Sequence, residues 1–407
     1  MKNALLFLFF LSFFSSTNIA QEQYDFDYKI ESKAFEKERK FYVHVHEDYY
    51  LDTADHFGVV YVLDAQAAAF YNNAKSIIDY LVWSRQIAPM IVVGIHSDNR
   101  GREFIPLDRS LAADDKDNRG QAEKLRDHIE NEIFPLISKD FRVNDFRALI
   151  GHSRGGAFVA NTIFGDKKDM FDAYIAISPG MHYLNGQILN DAQEMITNGE
   201  EFHKFYYCTY GTVGELEKSF KPKVNFLDSL FRAHPNNTIE WRQKEITGKT
   251  HWGVVAPSVA DGIIEMNRAY QADQFLIEQF AKVGAISISE MVDLYHSQQK
   301  ERLGKLFPVP AFKLRYYGNQ FQEMGNYENA LELYNMAIET DKNETRAYIG
   351  MGDTYVTIKE YDKAEKIYNA GLEALESHKS NLSEKEYERK KQWINWSFEY
   401  LEKERKK

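Results

Sequence analysis

The stretch Arg147-Ala148-Leu149-Ile150-Gly151-His152-Ser153-Arg154-Gly155-Gly156-Ala157-Phe158-Val159-Ala160 decides how this chain is read. An apolar run enters Gly-x-Ser-x-Gly and a helix-forming run leaves it. Strand, sharp turn and helix in that order put Ser153 at the apex, with its hydroxyl clear of the sheet. Glycines at 151 and 155 remove the Cβ atoms that would crowd a strained turn. The N–H groups opening the helix have no acceptor inside it, so they face whatever approaches the serine. The bland alternative is an ordinary strand-to-helix turn with a capping serine.

The surroundings favour the first reading. Upstream, Gly58 to Leu63 is continuously apolar, as in a strand buried on both faces of a parallel sheet, and ends at Asp64-Ala65-Gln66. A helix is predicted from Ala67 to Trp83, a second buried strand over Met90 to Ile95, and then the loop His96 to Pro106. Leu125, Ile129, Ile133 and Phe134 give helical spacing between Gln121 and Ile137. Beyond the elbow, strands are predicted at 171–179, 204–210 and 238–242, the last followed by Thr250-His251-Trp252-Gly253. Strands alternating with helices predict an α/β domain over residues 25–275, its mainly parallel sheet flanked by helices. Ligands of such sheets bind at the carboxyl ends of the strands. Arg39 to His46 alternates like a half-buried strand, with His44 and His46 on one face. No third ligand stands near, so they read as solvated histidines, and no metal or organic cofactor is expected.

A serine hydroxyl needs a base, and the base needs an orienting acid. For a serine on a strand-to-helix elbow of this kind, the partners follow in the order serine, acid, histidine. His251 fits that order, between Gly248 and Gly253, ahead of His182 and His234. His152 would project away from Ser153 and reads as packing. Glu215, directly after the strand at 204–210, is the expected acid, and helical geometry is taken to turn Glu217 elsewhere. Backbone N–H groups of Arg154 and Gln66 are the expected oxyanion donors. Arg100, Arg102 and Trp252 are expected at the substrate.

At 407 residues the chain predicts more than one domain. Its net charge of −11 argues against a nucleic-acid partner. One cation followed by an apolar run to Phe14 reads as an export leader, cut after Ala20, with no nearby cysteine for a lipid anchor. A periplasmic or secreted location follows. Cys208, the single cysteine, lies in a strand-like run and reads as a buried inert thiol. After a helical linker at 276–310 the character changes. Gly318, Gly325, Tyr327, Ala330, Tyr334 and Ala337 are answered at a constant offset of 34 residues by Gly352, Lys359, Tyr361, Ala364, Tyr368 and Gly371. That period predicts tetratricopeptide-like helical repeats over 311–407, a candidate surface for a protein partner. A last helix starts at Ser383 with Glu386 as a capping box, and its Trp393, Trp396 and Tyr400 are expected to cap the repeats.

Together, Tyr61-Val62-Leu63-Asp64, Asn99-Arg100-Gly101-Arg102-Glu103, the elbow, Ala176-Ile177-Ser178-Pro179 and Thr250-His251 make residues 25–275 resemble an esterase family of α/β-hydrolases. That family includes ferric-enterobactin esterases, feruloyl and acetylxylan esterases, and mycolyltransferases. Gly211-Thr212-Val213-Gly214-Glu215-Leu216 is similar to the acid-bearing segment of the mycolyltransferases. The resemblance implies an exported serine esterase acting on a small-molecule or glycan ester. A siderophore trilactone is the first expectation and a carbohydrate ester the second; the rival is a non-catalytic binding platform. Ala65 and Arg154 depart from the family pattern, where glycine and an apolar residue are usual. With Arg100 and Arg102, Arg154 would suit an anionic substrate.

Overall fold

The structure, a computed structural model, describes residues 23–268 and 287–407, apart from 52–55, 85, 113, 116–118, 200–202, 236–237, 304–308 and 310. The leader and much of the expected linker lie outside the described residues.

Eight strands form one sheet in the order β1-β2-β4-β3-β5-β6-β7-β8. They are β1 (Asp25–Ser32), β2 (Lys37–His44), β3 (Phe57–Val62), β4 (Met90–Ile95), β5 (Val143–His152), β6 (Ala173–Ile177), β7 (Lys204–Val213) and β8 (Ile239–Thr250). β1 and β2 are antiparallel to their neighbours, and every pairing from β4 to β8 is parallel. The continuous apolar runs are buried on both faces because the period of two sends alternate side chains to opposite layers. Val60, Val62, Ala148, Ile150 and Ile175 pack beneath α1 (Ala68–Trp83) and α6 (Val255–Met266). Val59, Tyr61, Leu149, Tyr174 and Ala176 join the opposite layer. That layer holds α2 (the helical run Ala122–Asp140, with a π-turn at Ile129–Ile133), α3 (Arg154–Ile163), α4 (Gln187–Thr197) and α5 (Glu215–Ala233). This is the α/β-hydrolase fold.

His44 and His46 are buried, not solvated. His44 lies between Asp25 and Asp79, at 2.9 and 2.8 Å, while the His46 ring accepts the N–H of Asp48. Among the described residues no cluster suited to a metal ion is present. Cys208 is fully buried and unpaired, its thiol pushed far above its usual pKa by desolvation.

The helical part comprises α7 (Ile288–Leu303), α8 (Ala311–Glu323), α9 (Tyr327–Thr340), α10 (Thr345–Thr357), α11 (Tyr361–Ser377) and α12 (Glu384–Arg405). Its repeat has a steric basis. A Cβ on Gly318 would lie 2.7 Å from the Tyr334 ring, and one on Gly352 would lie 2.1 Å from Tyr368, the equivalent ring 34 residues on. Gly325 and its counterpart Lys359 both have positive φ, 77° and 64°, so the turn survives the loss of the glycine. Ser383 caps α12 by accepting the Glu386 N–H. The expected capping aromatics are corrected in part: Trp393 is half-buried with Arg346 of α10 over its ring at 4.5 Å, but Trp396 and Tyr400 are exposed, and Tyr387, Ile394 and Leu401 form the buried seam of α12.

Candidate active site

Ser153 joins β5 to α3 with φ 60° and ψ −113°, a conformation that costs a non-glycine residue about 1–3 kcal/mol. The turn is pinned through its backbone: Ser153 N donates to Ile177 O at 2.9 Å, and Gly180 N donates to Ser153 O at 3.0 Å. A Cβ on Gly151 would stand 2.3 Å from the Gly155 carbonyl oxygen, and one on Gly156 would stand 3.0 Å from Pro179 Cα. Gly155 itself has room, its nearest neighbour being Asp64 Oδ2 at 3.4 Å, so the steric need falls on 151 and 156 rather than on 151 and 155. Arg154 is the first residue of α3, and its N–H therefore has no acceptor within the helix.

His251 follows β8 immediately, because that strand runs on to Thr250. The acid beside it is Glu217, and the assignment of Glu215 is corrected. Glu217 is fully buried, with Oε1 2.6 Å from His251 Nδ1. Glu215 is 88% exposed and pairs with Lys218. Helical side chains tilt toward the N-terminus, so the third residue of α5 reaches back under the end of β7 while the first faces water. There the Gly211 N–H donates to Glu217 Oε2, and Ser178 Oγ stands 2.9 and 2.8 Å from the two carboxylate oxygens. Gly211 permits this packing, since a Cβ there would meet Glu217 Cγ at 3.2 Å and the Lys249 carbonyl oxygen of β8 at 2.4 Å. Burial works to raise the Glu217 pKa, but the bonds from His251, Gly211 and Ser178 outweigh it and hold the carboxyl below its ordinary value.

His152 is more than packing. Its Nε2 donates to the His251 carbonyl at 2.8 Å, and the two rings lie 4.5 Å apart. Desolvation, reinforced by His251, lowers its pKa to about 4, so it stays neutral and holds the loop by a neutral bond. Trp252 is 73% exposed, with its ring 5.6 Å from His251. Neither alternative base bonds to Glu217 among the described residues. His182 stacks on Phe220, which in turn touches the His251 ring, and His234 bonds to the Leu230 carbonyl at the far end of α5.

The turn after β3 is braced by side chains. Asp64, with φ 64°, is buried and takes both Arg100 Nε and an Arg100 Nη at 2.8 and 2.9 Å. Gln66 bonds through Nε2 to Asp64, and its Oε1 accepts the Ser97 N–H. Arg100 is therefore engaged with Asp64 rather than turned to a ligand. Arg102 is exposed and donates to the Arg119 carbonyl. Arg154, beside Ser153, donates to the Tyr183 hydroxyl at 2.8 Å and has no ion pair among the described residues. Asp64, Ser178, Tyr183 and Glu217 are the residues the sequence reading left without a role. Asp64 and Ser178 stand in the very segments that carry the family resemblance, the signal that could have found them.

The mainly parallel sheet in this strand order, with a strained serine elbow after β5 and a buried glutamate–histidine pair after β7 and β8, defines the class as an α/β-hydrolase. The family model described as "Putative esterase" matches residues 32–240, over half of the chain, and the protein belongs to that esterase family. A tetratricopeptide repeat model matches residues 321–380. The chain is 29% identical over 184 residues to ferri-bacillibactin esterase BesA of Bacillus subtilis, covering 42% of this chain and 63% of that one. It is 36% identical over 165 residues to a siderophore enterobactin esterase of Emericella nidulans, covering 35% and 52%. The chain thus spans less than two thirds of either relative. Among solved structures, an IroE-like serine hydrolase from Shewanella oneidensis superposes with a TM-score of 0.64 at 20% identity, covering 77% of this chain and 99% of that one. That likeness bears on the fold.

Proposed function

We propose that the protein is an exported esterase that hydrolyses a siderophore ester through Ser153, His251 and Glu217. The observation that carries this reading is the buried 2.6 Å bond between Glu217 and His251 Nδ1. It fixes the tautomer with Nδ1 protonated, which leaves Nε2 as the base. Ser153 Oγ attacks the ester carbonyl while Nε2 takes its proton, and Glu217 stabilises the imidazolium. Backbone N–H groups of Arg154 and Gln66 receive the developing oxyanion. The imidazolium then protonates the leaving alcohol, and water, activated by the same nitrogen, releases the acid and restores Ser153. Nothing in this sequence calls for a metal or an organic cofactor. The leader-like residues 1–20 support export, and the esterase names of the two sequence relatives support the substrate class.

A fluorophosphonate probe should add its mass to the wild-type protein at Ser153 and leave Ser153→Ala unmodified. A folded, active wild type that stays unlabelled would end the serine mechanism. A protein with neither labelling nor ester turnover would be a binding platform.

Arg154 points to the polarity of the substrate. Its guanidinium, held by Tyr183 and unneutralised among the described residues, would meet an anionic group near the scissile ester. Arg154→Gln keeps the backbone N–H, so p-nitrophenyl acetate turnover should stay within about twofold of wild type. KM for enterobactin should rise about tenfold, the loss expected for one charge-assisted hydrogen bond. Equal effects on both substrates would show that Arg154 serves the fold alone.

A further inference from the structure

We infer that Ser178 is a positioning residue of this site, holding the Glu217 carboxylate in the plane and ionisation state that His251 requires. The inference rests on the triad reading above. Ser178 follows β6, is fully buried, and has φ 42°, the left-handed region where glycine is comfortable and other residues are strained. A serine kept at such a position supplies something glycine cannot, and here that is a hydroxyl. Its oxygen lies 2.9 and 2.8 Å from the two Glu217 oxygens, so its single proton is shared by the carboxylate. The remaining donors to Glu217 are the Gly211 N–H on Oε2 and His251 Nδ1 on Oε1. Without the hydroxyl, Glu217 would be held by one backbone bond on one side and by the histidine it must orient on the other.

The same short segment is tied to the nucleophile. Ile177 O accepts the Ser153 N–H, Gly180 N donates to Ser153 O, and Ser178 N donates to Thr209 O on β7. Residues 177–180 thus brace Ser153 through backbone and Glu217 through a side chain, fixing nucleophile and acid to one rigid element. The titratable and charged groups around this cluster are Glu217 and His251 themselves, the neutral His152, Arg100, which acts on His152, and His182, which stacks on the Phe220 ring that meets His251.

The experiment compares Ser178→Ala with Ser178→Gly. Glycine relieves the backbone strain and alanine does not, yet both lose the hydroxyl, so stability and activity should separate. Ser178→Gly should melt above Ser178→Ala, while both lose kcat roughly tenfold at unchanged KM, the scale of a hydrogen bond to a charged group. Fewer donors leave more charge on Glu217, which binds a protonated His251 more tightly. The acid limb of the kcat/KM profile should therefore move to higher pH in both variants. The His251 Nδ1–H signal, followed by NMR in histidine-labelled protein, should move in both variants, because its acceptor has lost a competing donor. Wild-type kcat and an unmoved limb in Ser178→Gly would overturn the inference, as would loss in alanine restored by glycine. If no substrate is turned over and Ser153 resists the fluorophosphonate probe, the esterase reading fails. The Nδ1–H signal still decides the role of Ser178.

Discussion

Glu217→Gln is expected to lower kcat by about 10³–10⁴, while Glu215→Gln leaves it within about twofold. The amide is nearly isosteric, so packing is kept and the loss isolates hydrogen-bond logic. Glu217 Oε1 accepts His251 Nδ1–H and Oε2 accepts the Gly211 N–H. An amide has one acceptor and one donor end. With its NH2 toward Gly211, two donors face each other in a buried site. With its NH2 toward His251, Nδ1 must become an acceptor and the ring proton moves to Nε2, where it blocks base catalysis. Either orientation costs the reaction, and measured KM should change little because no group touching substrate is altered. Glu215, exposed and paired with Lys218, offers no comparable contact. Comparable kcat values for the two glutamine variants would return the acid to position 215.

The contrast between these residues marks what was legible in the sequence. The elbow could be read because its signals are local: an apolar strand, glycines at fixed spacing and a helix within a dozen residues. The sheet could be read for the same reason, its buried strands being continuous apolar runs. Chain order singled out His251, the histidine bonded to Glu217. The acid was misplaced by two residues because β7 continues to Val213 and α5 begins at Glu215, so the tilt of first-turn side chains, not proximity to the strand, selects the inward carboxylate. Arg100 looked free for a ligand because its partner, Asp64, stands 36 residues earlier. Pairing across that separation has no local signal. The α12 aromatics share a helical face, yet the buried seam falls on Tyr387, Ile394 and Leu401. Spacing shows that residues share a face, and packing decides which face is covered.

Glu103→Gln should destabilise the protein by about 3 kcal/mol, near the lower end of the cost of stranding one member of a buried ion pair. Arg39 and Glu103 are both buried and meet in two parallel bonds of 2.8 Å. Glu103 also accepts Ser97 Oγ and the Asn99 N–H. The partly exposed Asp98, 3.1 Å from Arg39, remains in the variant and tempers the loss. Burial tends to raise the Glu103 pKa, but Arg39, Ser97 and Asn99 prevail and lower it from 4.5. A carboxyl held below its unfolded value gives stability that is complete above that value and is lost as pH falls through the folded one. The melting gap between wild type and Glu103→Gln should therefore be widest near neutrality and close as acid protonates Glu103. A gap independent of pH would mean that Glu103 acts by shape alone. Replacing both partners, as Arg39→Met with Glu103→Leu, removes the stranded charge and should recover much of the stability. Its kcat should nevertheless fall below that of wild type. Ser97 Oγ and the Asn99 N–H would still lack their acceptor, loosening the loop that carries Arg100 to Asp64 and lends the Ser97 N–H to Gln66. A double variant as stable as wild type but with depressed kcat would tie this buried pair to the turn after β3 rather than to the fold.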